Sequence, residues 1–252
     1  MSPPAADPAW LFPDWPALAR VRAAVSTRWG PGVSPPPFER FNLGARNGDA
    51  AEAVAHNRRA LRSALALPGT PHWLRQVHGT TVHHVHGAPG EDEPVADAVV
   101  TRLAGQPLAI LTADCLPVLF ASMRGDAIGA AHAGWRGLAG GVLESTLDAL
   151  RIPPAELLAW LGPCIGMASY EVGVEVHAAF TASDAGAVAC FEPTRPGHWR
   201  CDLVALARRR LVRAGVTRVH GGGFDTCADP RLYSYRRDGA GSGRFATLIW
   251  LD

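Results

Sequence analysis

The stretch "LAILTADCLPVLF", residues 108–120, decides the fold of this chain. A strand with one face in water alternates polar and apolar residues, whereas this run is apolar on both faces and is therefore expected to be covered on both. The polar pair Asp114 and Cys115 lies at its centre, and Pro117 follows. Successive strand side chains point to opposite faces, and proline removes a ladder donor. We therefore expect one strand to end, and another to begin, at this pair.

The segments on either side of this stretch alternate between strand-like and helix-like patterns. The patterns predict strands at 21-27, 73-77, 81-86, 97-101, 108-113, 116-120, 126-131, 157-161, 217-220 and 244-251. They predict helices at 50-66, 138-150, 171-180 and 202-214. The last helix has Asp202 as its expected N-cap and Gly215 just past its end. The sequence therefore indicates one α/β domain over residues 1-252, with a Pro-rich N-terminal extension at 1-19.

The charge composition excludes several classes of function. The 24 basic residues, all arginine, nearly balance 23 acidic residues and leave a formal net charge of +1. No general attraction to nucleic acid or membrane is expected from this balance. The absence of lysine excludes Schiff-base and pyridoxal-phosphate chemistry and a P-loop lysine. A bound phosphate must therefore contact arginine or backbone N–H groups.

The cysteines and the N-terminus predict a cytoplasmic protein. The five cysteines are odd in number and form no CxxC pair, which argues against a disulfide framework or a structural zinc knuckle. The N-terminus lacks a basic region followed by a continuous apolar run, and no apolar run approaches the length of a membrane span.

The segment "IGAAHAGWRG", residues 128–137, predicts an anion site. It runs from a strand through a glycine turn into an amphipathic helix. A helix start offers unpaired N–H groups, and Arg136 adds a planar fork of donors at that point. His132, at the carboxyl end of the strand, is expected to face the same crevice. The alternative is that His132 only satisfies a turn carbonyl.

Three separate residues are candidate metal ligands. His78 lies at a glycine-containing turn, and with Cys115 and His132 it gives the N,S,N set that zinc prefers, with a fourth position left open. Asp114 then becomes a proton-handling neighbour. Taken alone, Cys115 also fits a small core residue. His84 and His86 on one strand face are a second candidate pair, for copper or zinc, although an exposed strand tolerates such histidines freely.

Uncommon motifs occur in a fixed order along nearly the whole chain from about residue 20. They are "FNLGARNGD" (41–49), "RQVHG" (75–79), "ADAVVT" (96–101), "LTADCLPVLF" (111–120), "AAHAGWRG" (130–137), "LGPCIG" (161–166) with "YEVG" (170–173), and "YSYRRDGAGSGRFATLIW" (233–250). The chain resembles the laccase-domain family, once described as polyphenol oxidases and now as multi-substrate purine nucleoside phosphorylases.

The resemblance implies layered helices and mixed sheets, an α/β/β/α sandwich, with zinc held by His78, Cys115 and His132. It also implies phosphorolysis of adenosine, inosine, guanosine and methylthioadenosine, deamination of adenosine and, in some members, editing of peptidoglycan precursors. The older laccase label implies copper. One departure is "GGFDTCADP" (222–230), where many members have a Cys-Thr pair; Asp225 and Thr226 stand there instead, and Cys227 is shifted.

The sequence leads to an expected reaction, which is phosphate attack on the ribose of a purine nucleoside. Arg136 is expected to hold the phosphate, with Asp114 or Glu171 protonating the departing purine. The other expected substrate contacts are Asn42, Gln76, Tyr170 and Arg236. A copper phenol oxidase and a Cys115 hydrolase with His132 as base are alternatives. Purine nucleosides and phosphate are the expected partners, and the chain is expected to be a monomer or weak homodimer.

Overall fold

The computed structural model describes residues 8–252. Its strands are β1 (Trp10–Leu11), β2 (Val21–Ser26), β3 (Val82–His84), β4 (Ala98–Thr101), β5 (Leu108–Thr112), β6 (Leu116–Ser122), β7 (Ile128–Ala133), β8 (Leu157–Leu161), β9 (Glu171–Gly173), β10 (Phe191–Pro193), β11 (His198–Cys201), β12 (Arg218–Gly221) and β13 (Phe245–Leu251). Its α-helices are α1 (Ala51–Ala64), α2 (Trp135–Gly140), α3 (Val142–Leu150), α4 (Val174–Thr181), α5 (Leu203–Arg213) and α6 (Tyr235–Asp238).

Two sheets form the centre of the molecule. One has four strands in the order β1-β2-β13-β5, and the other has six in the order β12-β8-β6-β7-β4-β3. A core cluster joins their facing sides, with Ile110 and Phe245 from the first sheet and Leu119, Ile128 and Trp160 from the second. The two sheets therefore pack face to face.

Helices cover the outer face of each sheet. Leu61 of α1 packs with Ala109 and Leu248 on the outside of the four-stranded sheet. Leu147 of α3 and Leu206 of α5 belong to the cluster on the outside of the six-stranded sheet. This arrangement confirms the predicted single-domain α/β fold and its α/β/β/α layers.

The stretch 108–120 connects the two sheets. β5 ends at Thr112 in the four-stranded sheet, and β6 begins at Leu116 in the six-stranded sheet. The three residues between them cross from one sheet to the other, and Asp114 at their centre has φ 90°. The predicted break is confirmed, and it is also the point where the chain changes sheets.

A third, small sheet corrects the prediction for residues 171-180. β9 pairs with β11, which pairs with β10. The predicted helix begins as the strand β9 and becomes α4 only at Val174, because Glu171 and Val172 pair with β11. The hairpin of β10 and β11 was not predicted.

Two further predictions needed correction. Residues 73-77 are not a strand, since only isolated bridges from His72 and Arg75 join this segment to its neighbours. The predicted helix 138-150 is two helices, because Gly141 has φ 101° and breaks the helical path between α2 and α3. The predicted Asp202 cap is confirmed, as its carboxylate accepts a hydrogen bond from the Ala205 N–H.

The N-terminal part of the chain is described only in part. Of the predicted extension 1-19, residues 1–7 lie outside the described residues, and β1 pairs with β2. Within residues 8–252, no helix combines the length and apolar character that crossing a bilayer requires.

Candidate metal centre and cavity

The three predicted metal ligands lie together. One ligand atom from each of His78, Cys115 and His132 lies within 4.8 Å of the other two. The Cys115 Sγ lies 3.6 Å from His78 Nε2, and the imidazole rings of His78 and His132 are 4.7 Å apart between centroids. In the described part of the chain, this is the one group of three or more such side chains with this spacing.

The fold explains how these distant residues meet. Cys115 ends the crossing between the sheets, next to the first residue of β6. His132 lies on β7, directly opposite Pro117 of β6 in the antiparallel pairing. His78 reaches the pair from a loop in which its own φ is +62°, a left-handed conformation unusual for a residue other than glycine. The neighbouring strands β6 and β7 thus supply the frame, and the loop supplies the third ligand.

One buried carboxylate supports two of the ligands. Asp97 is fully buried, and its Oδ1 lies 2.8 Å from the Nδ1 of His132. The same carboxylate accepts hydrogen bonds from the backbone N–H groups of Val77, His78 and Gly79. Because the Nδ1 of His132 is occupied, its Nε2 is the nitrogen left for a metal ion.

The electrostatics of the metal-free centre favour a thiolate. Burial alone would raise the pKa of Cys115, but the positive charge of His132 and hydrogen bonds from His132 and His78 lower this pKa to about 6. Burial opposes a charged His132, but attraction to the Cys115 thiolate and the hydrogen bond to Asp97 raise its pKa to about 9. The pair therefore favours the imidazolium and thiolate forms near neutral pH.

The donor types and the spacing of Cys115 and His78 suit a tetrahedral metal ion. Zinc with its usual bond lengths to sulfur and nitrogen separates those two ligand atoms by about 3.5 Å. The Cys115 to His78 distance of 3.6 Å matches that separation. A set of two imidazoles and one thiolate leaves a fourth position for a substrate or water, as in catalytic zinc sites.

The three ligands line a cavity of about 550 Å³. Its other polar and aromatic lining residues are Arg46, Asn47, Arg58, Gln76, Glu93, Thr112, Asp114, Trp135, Arg136, Tyr170, Tyr235, Arg236 and Arg244. A space of this size is typical of small-molecule sites.

Three of these arginines lack a carboxylate partner. The Arg236 guanidinium donates to the backbone oxygens of Ser169 and Glu171, and Arg244 donates to those of Ser242 and Gly243. Arg136 lies over the ring of its neighbour Trp135, 4.4 Å from the ring centroid. Among residues 8–252, no carboxylate forms an ion pair with Arg136, Arg236 or Arg244. Their charge is therefore available to an anion in the cavity.

The other two arginines of the cavity share one carboxylate. Glu93 forms ion pairs with both Arg46 and Arg58, and Arg58 lies 4.3 Å from the centroid of the Trp73 ring. Burial and repulsion from Arg46 outweigh the attraction of Glu93 and lower the pKa of Arg58. Glu93 is thereby fixed as a bridge between two cations.

Asp114 lines the cavity beside Cys115 and is held at both oxygens. Its Oδ1 accepts from the Thr226 hydroxyl at 2.6 Å, and its Oδ2 accepts from the Arg236 N–H at 2.6 Å. Asp225, next in the chain to Thr226, accepts from the Gly166 N–H and the Ser169 hydroxyl. The residues that depart from the usual Cys-Thr pair therefore organise this wall.

Two residues predicted to bind substrate have side-chain amides that form hydrogen bonds within the protein. Asn42 is fully buried, and its amide bonds Gly44, Asn47, Asp49 and the Arg244 N–H, which leaves it outside the cavity lining. Gln76 lines the cavity, but both ends of its amide bond the backbone of Leu111.

Tyr170 and Glu171 are neighbours in sequence, but only Tyr170 lines the cavity. Tyr170 lines the cavity with Arg236 5.3 Å from its ring centroid, and burial raises the pKa of its hydroxyl. The Glu171 carboxylate bonds Thr194 and Arg195 and is not part of the cavity lining. Glu171 belongs to β9.

The histidines of "HHVH" form no comparable centre. His84 and His86 stack with ring centroids 6.4 Å apart, and His83 lies 6.5 Å from His72. No group of three ligand atoms in residues 8–252 includes any of them. Cys164, Cys190 and Cys201 are buried in the core, and the half-buried Cys227 packs against it.

Sequence reasoning missed three residues of the site. Asp97, Thr226 and Arg244 were not selected, although each lies in a quoted motif or in the segment that departs from one. Asp97 carried a signal, because a lone carboxylate beside an apolar strand needs buried partners. Arg244 carried none, since one arginine among 24 is not distinctive.

Comparison with known proteins gives consistent results. Residues 22–252 match the family model described as multi-copper polyphenol oxidoreductase laccase. The chain is 54% identical to a purine nucleoside phosphorylase of Xylella fastidiosa, over 97% of this chain and 98% of that protein. It is 53% identical to a purine nucleoside phosphorylase of Pseudomonas aeruginosa, over 97% and 99%. A crystal structure of Neisseria meningitidis protein NMB0706 superposes with a TM-score of 0.90 at 44% identity, over 97% and 99%.

Proposed function

The chain belongs to the multi-copper polyphenol oxidoreductase laccase family, and on this premise we propose that it is a zinc-dependent purine nucleoside phosphorylase. One observation carries the proposal. The His-Cys-His donor set and three arginines without carboxylate partners share one cavity. An anion site suits phosphate, and a Lewis acid beside it suits the polarisation of an oxygen of phosphate or nucleoside.

Each residue has a separate task in the proposed reaction. Arg136, Arg236 and Arg244 hold the phosphate. A phosphate oxygen bonds to the anomeric carbon of ribose as the bond from that carbon to the purine nitrogen breaks, and the purine leaves with the electron pair. When bound by His78, Cys115 and His132, zinc supplies Lewis acidity that polarises an oxygen of the reactants.

The departing purine needs a proton, which we assign to Asp114. Asp114 lines the cavity beside Cys115. Glu93 also lines the cavity but is fixed between two arginines, and Glu171 bonds Arg195 outside it. The partners of Asp114 are the Thr226 hydroxyl and the backbone N–H of Arg236, which are neutral, so Asp114 is the carboxyl group best located for general acid catalysis. Tyr170 offers a ring face for the purine.

Product analysis tests this proposal. Purified protein with inosine should release hypoxanthine and ribose 1-phosphate only when phosphate is present. Arg136→Ala should raise the KM for phosphate about 10- to 100-fold, from loss of a charged hydrogen bond of about 1.5–3 kcal/mol. Arg59→Ala, an exposed arginine of α1 outside the cavity lining, is the control and should change nothing. Release of hypoxanthine without phosphate contradicts the proposal.

Deamination of adenosine is a second activity proposed for the same cavity. In this reaction the attacking group is water and the attacked atom is C6 of adenine. An oxygen–C6 bond forms, the bond from C6 to the amino nitrogen breaks, and Asp114 carries the protons from water to the departing ammonia. Adenosine should become inosine without phosphate, and Arg136→Ala should slow this reaction less than phosphorolysis. An equal loss of both activities would show that Arg136 does not act through phosphate.

Hydrolysis by Cys115 is the second candidate function. His132 lies between the thiol and Asp97, which is the order of a nucleophile, base and orienting acid. Editing of peptidoglycan precursors would be such a hydrolysis. Alkylation that abolishes activity while the bound metal remains supports this candidate over phosphorolysis.

Copper-dependent oxidation of phenols has less support. Multicopper oxidation needs about eight histidines beyond the His-Cys-His set. Residues 8–252 bring no second group of three metal-binding side chains together. Elemental analysis of protein purified without added metal should find zinc at about one ion per chain, and copper at several ions per chain would reverse this assignment.

A further inference from the structure

We propose that Asp97 is the positioning residue of the metal centre, holding two of its three ligands in place before the metal arrives. The inference rests on the metal-binding part of the proposed function and extends it to a residue outside the coordinating set. Asp97 precedes β4 and is fully buried. Its carboxylate joins two segments that are far apart in sequence, the loop carrying His78 and the strand carrying His132.

The contact with His132 selects the coordinating nitrogen. The Oδ1 of Asp97 accepts from the Nδ1 of His132 at 2.8 Å, so this nitrogen carries the proton and Nε2 faces Cys115. A neutral imidazole binds a metal through its unprotonated nitrogen, and a carboxylate on the other nitrogen fixes both tautomer and ring orientation. Without Asp97, His132 can rotate or exchange the proton between its two nitrogens.

The contacts with the loop fix the position of His78. Oδ1 accepts from the His78 N–H at 2.9 Å and Oδ2 from the Gly79 N–H at 2.7 Å, while the Val77 N–H lies 3.1 Å from Oδ2. Three successive N–H groups therefore converge on one carboxylate. They offset the cost of the left-handed φ of +62° at His78, which is an exposed residue.

The third ligand is fixed independently of Asp97. Cys115 is held by the crossing between the sheets, and none of its described contacts involves this carboxylate. Substitution of Asp97 should therefore release two ligands and leave the thiol in place. Both carboxylate oxygens accept hydrogen bonds, so an asparagine at 97 must turn its N–H₂ group toward donors in either orientation.

Zinc affinity tests the inference. Metal-free protein is titrated with zinc against a chromophoric chelator, comparing wild type with Asp97→Asn. The dissociation constant should rise about 10- to 100-fold, the range typical when a carboxylate behind a metal-binding histidine is lost. The spectrum of the cobalt-loaded variant should also show a changed ligand field, which a loss of stability alone does not produce.

Asp225→Asn is the matched control. Asp225 also accepts backbone N–H groups, from Gly166 and Cys227, but contacts none of the three ligands. It should keep wild-type zinc affinity. His132→Ala, which removes a ligand, marks full loss of the site.

The outcomes separate this inference from the proposed function. If wild type binds zinc and Asp97→Asn binds it equally well, the role of Asp97 is refuted while the metal centre stands. If wild type binds no zinc, both fail. Should Asp97→Asn not fold, nitrogen NMR of zinc-loaded wild type decides; a proton on the Nδ1 of His132 supports the inference, and metal on that nitrogen overturns it.

Discussion

At the scale of single residues, the chemistry of the centre depends on a few close neighbours of Cys115. Burial alone would make this thiol a poor nucleophile, and the nearby imidazoles reverse that effect. Cys164 is a contrasting case, because burial raises the pKa of its thiol and leaves it an inert core residue. The location of Cys115 at the end of the sheet crossing therefore determines its reactivity.

The pH dependence of alkylation tests this effect. In metal-free protein the rate at which Cys115 reacts with iodoacetamide should increase with pH, with a midpoint near the lowered pKa of about 6. Below that pH the rate should be low because the thiolate is protonated. His132→Ala removes the neighbouring positive charge, so the midpoint should move upward. Bound zinc should block the reaction. A midpoint in wild type at the ordinary thiol value of 9.0 would show that the imidazoles do not act on the thiol.

Gly134 provides the space that the ligands occupy. A Cβ at this position would lie 2.7 Å from the His78 Cδ2 and 2.9 Å from the Cys115 Sγ, closer than real contacts allow. Gly134→Ala should therefore displace both ligands and lower zinc affinity about 10-fold or more, the effect of losing groups that orient ligands. Gly87→Ala, where a Cβ meets nothing within 4 Å, should leave the affinity unchanged in the same chelator competition.

At the scale of elements, local signals determined how well each segment was predicted. The pattern gave β8 with its observed bounds and the helix α5 with its Asp202 cap, because periodicity and capping residues agree there. Residues 73-77 have strand-like composition but pair through isolated bridges, since the amide of Gln76 takes the backbone partner that a strand would use. This replacement of a backbone partner by a side-chain amide is visible only in the tertiary contacts.

The junction between α2 and α3 offers a test at this scale. Gly141 has φ 101°, a conformation that strains any residue with a Cβ, and α2 on its N-terminal side carries Arg136. Gly141→Ala should lower the free energy of unfolding by about 1 kcal/mol or more. Chemical denaturation measures it. Gly140→Ala lies inside α2 and is the control; an equal loss in both variants would show that the backbone conformation of Gly141 is not the cause.

At the scale of the whole molecule, the ligand set could be selected from the sequence but its support could not. His78, Cys115 and His132 followed from ligand chemistry and from the motifs they occupy. Asp97 and Thr226 act through contacts with segments distant in sequence, such as that of Thr226 with Asp114, 112 positions away. Arg244 belongs to the site because the fold brings it to the lining of the cavity. A pattern of neighbouring residues contains no information on such contacts.

Metal removal should lower the stability of the whole fold. The ion would join the loop of His78 to Cys115, which precedes β6, and to His132 on β7. An ion that binds the folded chain and not the unfolded chain stabilises the fold by about 2.7 kcal/mol at a free concentration 100 times its dissociation constant. Excess chelator should therefore lower Tm, and zinc should restore it. In His132→Ala the Tm measured with chelator and the Tm measured with zinc should be equal. A wild-type Tm that does not respond to zinc would mean that the ion adds nothing to the fold.

The positions of the three ligands along the chain have a further consequence if the chain is cut into two fragments. A cut in the turn between β6 and β7 would leave His78 and Cys115 on one fragment and His132 on the other. Neither fragment alone contains all three ligands. Zinc binding would therefore join the two fragments and report that they have reassembled. The molecule thus contains the parts of a split-protein sensor whose readout is the capture of an ion.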